Sequence, residues 1–275
     1  MEPASLRPVF DKQDVLLNFK DFENSTAQQV KRLHMRVMGK INRRLAFRAL
    51  VFGLMLAAAA PEGATAAALE RRALAAADPS LTTVAIGSGQ RFGTTSAPAV
   101  LAAGERFDVM ALGPGLGTGR EGFVQALLEQ WDRPLVLDAD AIAAAGVEAL
   151  AARCHPTVIT PHAGEFLRLT GEDAGYRQAA DLASRTGAVV LLKGNPTVIA
   201  GEETWLVASG GPELATLGSG DVLTGMIAAL MARGLDAETA ARSAAYRHGR
   251  AAADLAAVET VTAAGLARHV GRFAG

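Results

Sequence analysis

Pro134-Leu135-Val136-Leu137-Asp138-Ala139-Asp140-Ala141 and, further on, Thr157-Val158-Ile159-Thr160-Pro161-His162 decide the fold. Each is a short, unbroken apolar run that ends in polar residues, and the alanine-rich stretch 141–152 between them reads as a helix. A strand buried on both faces gives a continuous apolar run, and a helix between two such runs is the crossover of a parallel sheet. The pattern extends in both directions. Apolar runs recur at 107–112 and 188–192, with helical stretches at 120–130, 164–169, 176–186, 222–232 and 237–257. Earlier, 50–56 and 82–86 read as strands around a helix at 64–77, while 198–200 and 204–207 read as a hairpin around Gly201-Glu202-Glu203. The expected fold is α/β: a doubly wound, mostly parallel sheet flanked by helices. It occupies residues 45–275, and residues 1–44 form an N-terminal extension with a helix behind Ser25 or Thr26 that carries Val30, Leu33, Val37 and Ile41 on one face.

The chain has 275 residues, half of them hydrophobic, which suffices for a large core in one domain. Its formal charge is −1, with no basic block in the last two hundred residues, so binding to nucleic acid through an electrostatic footprint is not expected. The single cysteine, Cys154, permits no internal disulfide and fits a reducing, cytoplasmic setting. Five scattered histidines and one cysteine make no zinc pattern. The basic segment 40–44 and the apolar stretch after it look like a signal peptide, but they lie far from the N-terminus and Arg48 interrupts them. The uninterrupted apolar run 49–60 is too short to cross a bilayer and is read as a buried strand, with secretion from a misplaced start as the minor alternative.

In an open α/β sheet, ligands bind at the carboxyl ends of the strands. Four loops qualify. Gly113-Pro114-Gly115-Leu116-Gly117-Thr118-Gly119 lets the backbone approach a ligand closely, although such a loop is equally often structural. Asp138 and Asp140 suit Mg²⁺ held through water, or Asp140 simply caps the next helix, which is the simpler reading. His162 and Glu165 stand on a proline-fixed turn and could orient a polar substrate, while Glu165 also satisfies a helix dipole. Lys193-Gly194-Asn195-Pro196-Thr197 leaves the run 188–192. Lys193 is one of five lysines in a chain with 22 arginines, and it is the only lysine after residue 40. A compact ammonium at a strand end suits phosphate, where a planar guanidinium fits differently.

Residues 215–230 add a fifth element: Ala215-Thr216-Leu217-Gly218-Ser219-Gly220-Asp221 runs into an apolar helix. A glycine turn before a helix gathers backbone N–H groups into an anion site. An acid there suits a general base working beside a transferring phosphate. The plainer alternative makes Asp221 the helix N-cap.

These motifs, Gly-Pro-Gly-Leu-Gly, Leu-Asp-Ala-Asp-Ala, Thr-Pro-His-Ala-Gly-Glu, Leu-Lys-Gly-Asn-Pro-Thr and Gly-Ser-Gly-Asp-Val-Leu-Thr-Gly, resemble in order and spacing those of the ADP/ATP-dependent NAD(P)H-hydrate dehydratases. That family is ribokinase-like, and the segment 244–252 resembles its C-terminal helix. The resemblance implies dehydration of hydrated NADH or NADPH at the expense of ADP or ATP, with Mg²⁺ neutralising charge. It implies that Asp221 is the base and that Lys193, Gly194, Asn195, Pro196, Thr197, Gly218, Ser219 and Gly220 line the nucleotide. Gly115, Gly117, His162 and Asp221 would meet the hydrated cofactor. A homo-oligomer without membrane attachment is expected.

The sequence departs from the family at residues 54–67. There the glycine-rich turn after the first strand is replaced by Leu54-Met55-Leu56-Ala57-Ala58-Ala59-Ala60-Pro61-Glu62-Gly63-Ala64-Thr65-Ala66-Ala67. The turn is rebuilt with alanines, or the substrate differs, or the site is impaired. Two rivals therefore stand beside the dehydratase: a ribokinase-like kinase of a vitamin-precursor alcohol, and a nucleotide-binding protein with an impaired substrate site.

Overall fold

The structure is a computed structural model that describes residues 16–18, 86 and 92–273. The strands, helices and altered turn expected between residues 19 and 85, and the boundary at 44, lie outside the described residues. The described strands are β1 (Leu16–Asn18), β2 (Met110–Leu112), β3 (Leu135–Leu137), β4 (Thr157–Ile159), β5 (Val189–Leu192), β6 (Thr197–Ala200) and β7 (Thr204–Val207). They form one sheet in the order β1-β7-β6-β5-β4-β3-β2. Strands β2 to β5 pair in parallel, in sequence order. β6 and β7 return as antiparallel hairpins, so the described sheet has a parallel half and an antiparallel half. The expected hairpin at Gly201 is the β6–β7 turn. β1 pairs antiparallel with β7, Leu16 opposite Val207, a strand that no sequence pattern announced.

The described helices are α1 (Ala97–Gly104), α2 (Glu121–Gln130), α3 (Asp140–Ala145), α4 (Val147–Ala152), α5 (Ala163–Thr170), α6 (Tyr176–Thr186), α7 (Ser219–Ala232), α8 (Ala237–Ala256) and α9 (Ala263–His269). Successive strand residues point to opposite faces, and the core divides accordingly. Met110, Leu112, Leu135, Leu137 and Ile159 pack with Phe123, Leu127, Phe166 and Leu182 on the face covered by the crossover helices. Val109, Ala111, Val136, Val158 and Leu191 pack with Leu223, Ile227, Ala240 and Ala244 of α7 and α8 on the other. Burial on both faces is why these strands read as unbroken apolar runs.

Most boundaries shift by one to three residues, and two differences change how the elements are read. The single helix expected over 141–152 is split by Gly146, whose φ of 74° is open to glycine and breaks the α-ladder. Helix α7 starts at Ser219, three residues earlier than expected, and this shift puts Asp221 inside the helix.

Candidate active site

Because β2 to β5 run in parallel, the loops that begin at Gly113, Asp138, Thr160 and Lys193 emerge at one edge of the sheet. Asp138 leaves β3 almost wholly buried, at 1% exposure. The Lys193 ammonium donates to its Oδ1 at 2.8 Å, and so does the Ala139 N–H at 2.9 Å. The Thr224 hydroxyl of α7 donates to Oδ2 at 2.7 Å. Burial alone would raise this carboxyl's pKa. The Lys193 charge, with hydrogen bonds from Lys193, Thr224 and Thr160, outweighs burial and holds it below the usual value. Asp138 is therefore ionised at neutral pH.

Lys193 also reaches Glu165 Oε2, at 3.4 Å, and its own N–H donates to the Pro161 carbonyl at 2.7 Å. The lysine picked out by its isolation in the sequence thus sits between two carboxylates contributed by the β3 and β4 loops. Glu165 in turn closes a capping box with His162. The Nδ1 of His162 accepts from the N–H of Gly164 and of Glu165, and Glu165 Oε2 accepts the His162 N–H at 2.8 Å. Eight residues are too few for a helix to stand alone, and α5 rests on this box and on fully buried Phe166. With Nδ1 accepting, the ring proton belongs on Nε2. That atom lies 3.5 Å from Glu165 Oε1 on a side chain that is 53% exposed.

The glycine-rich loop is tied to the same place. A Cβ on Gly113, whose φ is 134°, would lie 1.7 Å from the Asp138 carbonyl oxygen, so only glycine fits where β2 passes β3. Asp140 does not cap a helix: the N-cap of α3 is Ala139, with φ 48° and no side-chain bond. Asp140 Oδ2 instead accepts the Gly117 N–H at 2.9 Å and so anchors the loop that carries Gly115 and Gly117.

Helix α7 closes the cleft. Its N-cap is Gly218, left-handed at φ 83°, and no side chain caps it. Ser219 N–H bonds the Thr216 carbonyl and Val222 N–H the Gly218 carbonyl, which leaves the N–H groups of Gly220 and Asp221 without a capping partner among the described residues. Asp221 is the third helical residue, so the N-cap alternative is removed. A Cβ on Gly220 would lie 3.7 Å from Lys193 Nζ and 3.8 Å from Asp138 Oδ2, which places the first turn of α7 directly over the buried ion pair. The pKa of Asp221 is raised, first by desolvation and then by the negative charge of Asp138, with Lys193 opposing. A carboxylate with a raised pKa is a better proton acceptor than an ordinary aspartate.

A family model described as NAD(P)H-hydrate dehydratase matches residues 50–271. The chain belongs to that family. It is 46% identical over 165 residues to a bifunctional NAD(P)H-hydrate repair enzyme of Salinibacter ruber, covering 56% of this chain and 30% of the relative. The counterpart from Mycobacterium tuberculosis is 45% identical over 154 residues, 53% of this chain and 32% of its own length. The chain thus spans about a third of the length of the curated relatives it matches. Among solved structures, the ADP/ATP-dependent NAD(P)H-hydrate dehydratase from Bacillus subtilis, co-crystallised with ATP/Mg²⁺, is 29% identical at a TM-score of 0.53, covering 66% of this chain and 75% of that one.

In this chain, His162, Lys193, Gly220 and Asp221 converge through Glu165 and Asp138. Gly218 and Ser219 build the turn, and Gly115 and Gly117 lie on the anchored loop. Gly194, Asn195 and Pro196 form the exposed β5–β6 turn, and Thr197 donates from Oγ1 to the Gly194 carbonyl at 3.0 Å. Thr224 was missed by sequence reading, although it follows Gly220 by four residues and so shares its helix face.

Proposed function

We propose that the protein dehydrates hydrated NADH or NADPH, using ADP or ATP. The observation that carries the reading is Asp221 on the uncapped first turn of α7, above the Lys193–Asp138 pair. The nucleotide's terminal phosphate lies against the Gly220 and Asp221 N–H groups, where the helix dipole favours negative charge. Lys193, with a third proton beyond its two carboxylate partners, contributes positive charge. Gly194, Asn195, Pro196 and Thr197 line the rest of the nucleotide. The hydrated ring lies toward the loop of Gly115 and Gly117, where His162 offers Nε2–H to it.

The Asp221 carboxylate takes the proton of the C6 hydroxyl as that oxygen bonds to the terminal phosphorus, and the bond from phosphorus to the nucleotide breaks. The C6–O bond then breaks with its electron pair leaving on phosphate, the ring nitrogen supplies electrons, and loss of a proton from C5 restores the double bond.

A transferring phosphoryl group needs charge neutralisation. The described residues include no cluster of three metal-binding side chains. Mg²⁺ is held through one or two carboxylates together with phosphate oxygens and water. Asp138 is closed to it, being 1% exposed with both oxygens taken by Lys193, Ala139 and Thr224, so Mg²⁺ would enter on the nucleotide's phosphate oxygens and water. When bound, it would neutralise the charge between the nucleotide's terminal phosphates.

The test incubates the protein with ATP, Mg²⁺ and hydrated NADH, following the reduced-nicotinamide absorbance and inorganic phosphate together. Equal gains in both are expected. A stable phosphate ester of another alcohol, with no NADH regained, would make the protein a kinase instead. Asp221→Asn should lower turnover about 10²–10⁴-fold while the protein stays folded and binds nucleotide. A folded variant that retains most of its activity would remove Asp221 as the base.

A further inference from the structure

Helix α8 carries a buried histidine that the chemistry above does not use. His248 is 5% exposed, and its Nε2 lies 2.9 Å from the carbonyl oxygen of Ser219, the first residue of α7. A carbonyl only accepts, so Nε2 is the protonated ring nitrogen and the bond runs from ring to turn. The contact lies within the residues that present Gly220 and Asp221 to the cleft. Two other ties converge there. Ser219 Oγ donates to the Leu214 carbonyl at 2.7 Å, and a Cβ on Gly218 would lie 3.0 Å from the Ala263 Cβ.

The ring is itself held in place by its neighbour. A Cβ on Gly249 would lie 2.4 Å from both the carbonyl carbon and oxygen of Ser209, so α8 lies against the segment after β7 at a separation that only glycine allows. Ser209 Oγ closes this contact by donating to the Tyr246 carbonyl at 3.0 Å. The adjacent pair His248-Gly249 therefore fixes α8 to the sheet on one side and grips the phosphate-facing turn on the other.

We propose that His248 is a positioning residue: through Nε2–H and the Ser219 carbonyl it sets the first turn of α7, and with it Asp221, against the bound nucleotide. The inference rests on the functional reading above. A misplacement of about 1 Å can cost on the order of 10²-fold in rate, so a single bond at the root of the turn carries catalytic weight without touching substrate. His162 and the loop of Gly115 stand on other elements, so their part in binding the hydrated cofactor is separable and only the Asp221 contact is shared.

His248→Leu keeps apolar bulk and loses the donor, whereas His248→Gln returns an amide N–H near the same place. At a temperature where all three proteins are folded, His248→Leu should lower kcat about 10–100-fold and leave the KM for hydrated NADH within about threefold, and His248→Gln should recover most of kcat. A His248→Leu protein with the parent's kcat, or a His248→Gln protein as slow as His248→Leu, overturns the inference. A second arm needs no variant. In the unaltered protein carrying ¹⁵N-histidine, saturation with ADP should shift the Nε2 resonance of His248 and leave exposed His155 unmoved. A static His248 resonance at saturation overturns the inference even where His248→Leu fails to fold. A parent that binds ADP but regenerates no NADH overturns the functional reading and leaves the resonance to decide this one. Absence of binding to both ADP and ATP overturns both.

Discussion

His162 uses its two ring nitrogens for different ends, and the division can be tested. Nδ1 caps α5, while Nε2 lies 3.5 Å from Glu165 Oε1 on a half-exposed side chain. His162→Ala should raise the KM for hydrated cofactor and also lose the cap, at a cost of about 1 kcal/mol. His162→Asn, with an oxygen suited to capping, should raise KM while melting close to the parent. If both variants keep the parent's KM, His162 has no part on the hydrate side. Lys193 is a harder case. Its isolation among arginines drew attention to it as a phosphate ligand, but its partner Asp138 lies 55 residues away, and nothing local encodes that pairing. Lys193→Ala strands a buried carboxylate, for which about 3–5 kcal/mol of destabilisation is expected. Lys193→Ala combined with Asp138→Asn should recover most of that stability in urea titrations. The double variant should still bind nucleotide about 1.5–3 kcal/mol more weakly by calorimetry, the loss of a charged contact. Unchanged affinity in it would leave Lys193 a purely structural ammonium.

Whole elements followed from sequence where periodicity was strong, and their ends depended on single glycines. The residues 218–221 look like a turn before a helix. In the fold Gly218 alone supplies the left-handed residue, and the helix already includes Ser219, Gly220 and Asp221. Gly146 has the opposite effect, dividing a stretch that reads as one helix into α3 and α4. Helices α7 and α8 were legible as separate helical stretches, but their packing on each other was not. His248 entered only as part of the segment 244–252 that resembles the family's C-terminal helix, with no role of its own, because a lone histidine in an alanine-rich helix has no pattern. Burial lowers its pKa from 6.5 to about 4, with the Ser219 bond opposing weakly. The folded pKa is the depressed one, so the unfolded chain takes up a proton first as pH falls. This contribution is intact above pH 6.5, declines between 6.5 and about 4, and is then constant. It amounts to about 3 kcal/mol across that window. Urea titrations near neutrality and near pH 4.5 should show the parent losing about 2–3 kcal/mol more than His248→Gln, which has no titrating ring. Parallel losses would mean that the ring is not held neutral in the fold.

At the scale of the molecule, the parallel pairing of β2 to β5 and the convergence of their loops followed from continuous apolar runs, which a sheet covered on both faces requires, whereas the strand order did not. The charge network inside the cleft did not follow, since Asp138, Glu165, Lys193 and Thr224 come from four separate elements and meet only in three dimensions. Nor did β1, because Leu16-Leu17-Asn18 is too short for a period and its register is set by β7, far along the chain. That pairing has a consequence for solubility. The outer row of backbone N–H and C=O groups on β7 is taken up by the chain itself, and an unpaired row of this kind is a template for strands of other molecules. Beneath it lie Trp205 and Val207, both buried. A chain shortened to begin at residue 45 should therefore self-associate with rising concentration in light scattering, and adding a charged residue on β7 at Leu206 should suppress this. A shortened chain that stays monodisperse would show that β1 does not guard the edge. In this protein, resistance to aggregation then rests on Leu16–Asn18, a short strand far upstream in the chain from the edge that it covers.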